Sequence, residues 1–90
     1  MEKINIEVSK SQLENIVGGL SRTLSGQRDT RAELITSRDE ATDLEKIKLL
    51  NHLISGTEVL INETVAQINK YRPLYMSQRQ IDNFPIKGVE

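Results

Sequence analysis

Asp43–Tyr71, DLEKIKLLNHLISGTEVLINETVAQINKY, is the stretch on which the fold turns. Advancing about 100° per residue, Leu44, Ile47, Leu50, Ile54, Ile61, Val65 and Ile68 fall on one broad face, in steps of three, four or seven. Such spacing predicts an amphipathic helix. Leu49, Leu53, Gly56 and Leu60 make a second stripe roughly 100° around the cylinder, so apolar surface covers more than half of the circumference. One neighbouring helix cannot hide both stripes, which predicts a homodimer or higher oligomer. Thr42 and Asp43 are good N-cap types with Glu45 in the first turn, and Pro73 ends the helix near Arg72. Gly56, inside the second stripe, costs roughly 1 kcal/mol against alanine in a helix. It is read either as a tolerated surface glycine or as the crossing point of another helix.

Working outward toward the N-terminus, Ser37–Glu40 and the residues around it are polar, predicting a turn over 36–42 between antiparallel helices. Before it, Leu13, Ile16, Val17, Leu20 and Leu24 form the apolar line of a first helix, which resumes at Leu34 and Ile35. Ser11 with Glu14 matches a capping box and places the helix start near Gln12. Gly18 and Gly19 weaken this helix, and Thr30 with Glu33 would allow a break near Asp29 and a restart. An uninterrupted helix is the preferred reading. Still earlier, Ile4, Ile6 and Val8 alternate with Lys3, Asn5 and Glu7 at the period of a half-buried strand, predicting an extended arm over residues 1–10.

Beyond Pro73, Leu74, Tyr75, Met76, Ile81, Phe84, Ile86 and Val89 are too many apolar side chains for a free tail. Ser77 with Gln80 predicts a short helix over 78–83, and the exposed Leu49, Leu53 and Leu60 stripe offers the tail a receptor. The fold class is therefore mainly α. One domain is expected over 1–90, made of an arm (1–10), a long antiparallel helical hairpin (11–72) and a docking tail (73–90). Tyr71, Tyr75 and Phe84 join Leu49, Leu53, Gly56 and Leu60 as expected interface residues.

Twelve basic and thirteen acidic residues give a net charge of −1, which disfavours broad binding to nucleic acid or anionic membrane. Without cysteine there are no disulfides and no thiolate metal sites. No apolar run is long enough for a signal peptide or membrane span, and the expected location is the cytoplasm. His52, the single histidine, falls on the polar side of its helix with no second nitrogen or sulfur ligand to complete a metal site. Asp39, Glu40, Asp43 and Glu45 cluster where negative charge favours a helix start. No serine lies in a nucleophile motif, and no glycine pattern forms a phosphate loop. No catalytic residue, metal or cofactor is expected.

The chemistry that remains is anion recognition. Between Leu24 and Leu34 the apolar line of the first helix is occupied by Gln27, Arg28 and Arg31, and no acid occurs from Asn15 to Arg28. Folding the hairpin about residues 39 and 40 would bring position i near about position 79 minus i, so that Gln27 and Arg31 face Lys48 and Asn51. Arg22, Ser25, Gln27, Arg28, Arg31 and Asn51 would then hold a phosphate, carboxylate or cyclic nucleotide through guanidinium forks and hydroxyls. Pairing of these arginines with Asp29, Glu33 or Glu58 is the structural alternative. In size, lack of cysteine and polar helical composition the chain resembles small accessory proteins encoded by bacteriophages, a resemblance of format that transfers no residue role. The function expected is non-enzymatic: an inhibitor or assembly factor presenting a helical face to a partner protein. Sequestration of an anionic small molecule is the alternative.

Overall fold

The computed structural model describes residues 9–86 and Val89. Two long helices, α1 (Lys10–Glu40) and α2 (Leu44–Tyr71), form a hairpin, followed by a 3-10 turn (Arg72–Leu74) and a short helix, α3 (Gln78–Asn83). The molecule measures 53 × 30 × 16 Å, and no strand occurs among the described residues. The extended arm expected over residues 1–10 lies outside them up to Val8, while Ser9 and Lys10 belong to the start of α1.

Each helix start is set by local chemistry. Ser9, not Ser11, caps α1: its Oγ accepts from the Gln12 backbone N–H at 3.1 Å, and its own N–H donates to Gln12 Oε1 at 2.7 Å. Glutamine at the third helical position closes the same reciprocal box that glutamate would, so Ser9 with Gln12 competes directly with the expected Ser11 with Glu14. Asp43 caps α2 by accepting from the Glu45 N–H, and Ser77 with Gln80 forms the capping box expected for α3. Pro73 stops α2, and Arg72 leads into the 3-10 turn.

α1 runs unbroken through Gly18, Gly19 and Gly26. Arg22 folds back over the two adjacent glycines: a Cβ built on Gly18 or Gly19 would lie 3.8 or 3.9 Å from its guanidinium nitrogens. Helical side chains lean toward the N-terminus, so Arg22 covers the turn that the glycines leave bare.

Helix α1 continues to Glu40, and only Ala41–Asp43 connect it to α2, so the turn expected over 36–42 begins late. This moves the register. Gln27 lies opposite Thr64, Arg31 opposite Glu58 and Arg38 opposite Asn51, pairs whose numbers add to about 90 where 79 was expected. Part of the difference is the later turn. Another part is the lean of each side chain toward its own helix N-terminus, which in an antiparallel pair displaces contacts away from the turn on one helix and toward it on the other.

Leu13, Val17 and Leu24 of α1 and Leu50, Ile54 and Ile68 of α2 are buried. The densest packing lies at the end away from the turn, where Leu20, Ile61, Val65, Tyr71, Tyr75, Ile86 and Val89 surround Val17, Leu24 and Ile68. The shifted register explains why: α2 and the segment after it overlap the N-terminal half of α1, which carries most of its apolar line. Arg72, itself buried, donates from Nη2 to the Phe84 carbonyl and ties the end of α3 to the hairpin. The tail therefore does not dock on Leu49, Leu53 and Leu60 as expected. Tyr71 and Tyr75, expected at an interface, pack inside the chain, while the Phe84 ring stays exposed.

Candidate functional site

Two regions answer to the functional expectations. The first is the polar middle of the hairpin. Thr64, buried on α2, places its Oγ 2.9 Å from Gln27 Oε1 and 2.9 Å from the Leu60 carbonyl, sharing its single proton between two acceptors. Gln27 is thus engaged by the opposite helix. Arg31 pairs with Glu58, with Nη2 at 2.8 Å and Nε at 2.9 Å from the same carboxylate oxygen. These side chains are 42% and 45% exposed, so the pair is a solvated bridge that contributes little to stability. Asn51 accepts from Arg38 Nη1 at 3.1 Å, seven positions before Glu58 and so about 10 Å along α2 from the Arg31 bridge.

The expected ring of Arg22, Ser25, Gln27, Arg28, Arg31 and Asn51 is therefore not assembled. Asn51 sits nearer the turn, Gln27 and Arg31 have protein partners, and Arg22 lies over Gly18 and Gly19. What stays together is Ser25 with Arg28, which line a hollow of about 250 Å³ with Asp29 and Ala32. Arg28 also borders a second hollow of about 550 Å³ with Arg31, Ala32, Glu58, Ile61 and Asn62. Asp29 in one hollow and Glu58 in the other place a carboxylate beside the guanidinium, which opposes the approach of an anion. Among the described residues no group of His, Asp and Glu is arranged to hold a metal ion.

The second region is the outer face of α2. Leu49, Leu53 and Leu60 are 57%, 43% and 50% exposed, and Gly56 between them meets nothing within 4 Å of a built Cβ. Val59, also exposed, widens this strip, and His52 lies at its edge. The spacing reads as a seam: Lys46, Leu49, Leu53, Gly56, Leu60 and Glu63 follow at steps of three and four, an apolar centre with a cation at one end and an anion at the other. Lys46 and Glu63 are exposed, and neither forms an ion pair among the described residues. α1 covers the neighbouring side of α2, about 100° round the helix from this strip, through Leu50, Ile54 and Ile68. Sequence reasoning found the leucines of this seam but not the significance of its charged ends, which the period of three and four already contained.

Comparison with protein-family models, curated proteins and solved structures finds no match for this chain. The reading of its function stands on its own residues. Among the described residues no helix is long and apolar enough to cross a membrane.

Proposed function

We propose that this chain is a non-enzymatic interaction protein of the inhibitor or assembly-factor kind, which self-associates and acts through protein–protein contact made by the outer face of α2. The observation that carries this reading is the exposed row Leu49, Leu53 and Leu60, interrupted only by a glycine. Three leucines left in water along one helix face of a small chain forgo hydrophobic stabilisation of about 1.5–3 kcal/mol each when fully buried. A continuous strip of this sort marks contact surfaces, whereas scattered single residues do not. The C-terminal segment is already committed to the far end of the hairpin and leaves the strip open.

Sequestration of an anionic small molecule has less support, because Gln27, Arg31 and Asn51 are occupied by protein partners and Arg28 shares its hollows with Asp29 and Glu58.

Energy transfer between chains tests the proposal. The chain has no native cysteine, so Ser37→Cys, exposed near the turn, accepts a donor dye in one sample and an acceptor in another. Mixing the two is expected to give transfer that Leu53→Glu removes while helicity is retained. Transfer that survives Leu53→Glu, or no transfer in the parent at any concentration, overturns the reading.

A further inference from the structure

The seam on α2 is complementary to itself in one orientation only, and this identifies what covers it. We infer that the face binds the same face of a second copy of this chain, antiparallel, with a twofold axis between Ile54 and Ser55. The inference rests on the reading of α2 as the contact surface and adds the occupant and the register. In that register Leu49 of one copy meets Leu60 of the other, and Leu53 meets Gly56. By symmetry each contact occurs twice.

Three observations converge on this arrangement. First, the apolar positions pair without remainder: each of Leu49, Leu53, Gly56 and Leu60 finds an apolar partner, and no polar seam residue is enclosed between them. Second, Leu53 falls on Gly56, where the space beyond the backbone is empty to at least 4 Å, so a leucine side chain has room and the helices approach closely. A glycine in mid-helix costs stability, and the gain from this contact offsets that cost. Third, the same register sets Lys46 of each copy level with Glu63 of the other, an opposite-charge pair at each end of the apolar centre, with Glu45 at its edge. A parallel, in-register pair would place Lys46 against Lys46 and Glu63 against Glu63, so charge selects the antiparallel form. His52 of one copy and Val59 of the other lie along the same edge of the contact, two residues off level, and no like-charged pair is created between them.

The assembly is a four-helix arrangement in which the two α2 helices form the seam and each is flanked on the neighbouring face by its own α1. The exposed Leu74 and Phe84 do not belong to the α2 seam.

Charge reversal tests the register. Sedimentation equilibrium of the full chain is measured for the parent, Lys46→Glu, Glu63→Lys, the double variant Lys46→Glu/Glu63→Lys, and Leu53→Glu, with circular dichroism confirming helicity. Each single reversal turns both symmetry-related ion pairs into repulsions and is expected to weaken association about tenfold or more. The double variant restores both pairs with the charges exchanged and recovers the parent affinity. Mixing equal amounts of the two single variants also restores association, because one chain is then acidic at both positions and the other basic. Single reversals without effect, or a double variant no better than the singles, overturn the antiparallel register while leaving the contact surface in place, provided Leu53→Glu still dissociates the protein. If Leu53→Glu associates like the parent, the reading of the surface itself fails. A parent that sediments as a monomer throughout overturns both.

Discussion

The Thr64 hydroxyl reaches Gln27 Oε1 at 2.9 Å across the hairpin, joining side chains 37 positions apart in sequence. This is the point where the apolar line of α1 is interrupted, and the interruption is filled by a polar contact from the opposite helix. The pair favours the register of the hairpin, since sliding the helices by one turn in one direction would set the buried hydroxyl against Leu24.

Thr64→Val is therefore expected to lower stability by about 1 kcal/mol, because it leaves the Gln27 amide partly enclosed without its partner. Thr64→Val combined with Gln27→Leu is expected to be close to neutral, since both polar groups are then gone. Urea unfolding of the two single variants and the double closes the cycle. A double variant as weak as the sum of the singles would show that the two side chains do not act together.

Gly26 and Gly56 separate helix propensity from contact. Neither has an atom within 4 Å of a built Cβ within the chain, and both lie inside helices. Gly26→Ala is expected to raise the stability of the hairpin by about 0.5–1 kcal/mol. Gly56→Ala is expected to make the same local gain but to weaken self-association, because its methyl group occupies the space assigned to Leu53 of the second copy. Thermal unfolding at low concentration reads the first effect and sedimentation the second. Equal behaviour of the two variants in both measurements would remove the special role of Gly56.

Tyr75 gives the fold a dependence on alkaline pH. Burial raises its phenol above the ordinary value of 10.0, the nearby Arg72 acts against this, and Glu14 adds to it. The folded state thus holds the phenol proton more tightly than the unfolded chain does. Its contribution is fully present below pH about 10 and is lost as pH rises through the raised folded value. Stability is expected to fall in that range, and Tyr75→Phe is expected to flatten the fall. An unchanged alkaline slope in Tyr75→Phe, measured by chemical denaturation at several pH values, would assign the effect to other groups.

How much of this was readable in the residues differs from one feature to the next. The α2 helix, its Asp43 cap, the stop at Pro73 and the α3 capping box are written in short-range patterns that tertiary contacts did not override. The α1 start moved from Ser11 to Ser9 because glutamine closes a capping box as glutamate does, and two candidate boxes stood two residues apart. The larger difference lies in register. Periodicity tells which face of a helix is apolar but not how far the helix slides along its partner, and the polar run 36–42 concealed that α1 continues to Glu40. The anion site expected around Gln27, Arg31 and Asn51 depended on that register and dissolved with it. The outer seam of α2 did not depend on it, because it belongs to one helix alone.

A leucine face of α2 covered by another copy of the chain requires a dimer in solution. Light-scattering mass of the purified protein across a concentration series measures this. The mass is expected to rise to twice the 10.2 kDa of one chain and to return to 10.2 kDa in Leu53→Glu with helicity intact. A parent mass of 10.2 kDa at every concentration, with Leu49, Leu53 and Leu60 in water, would contradict it.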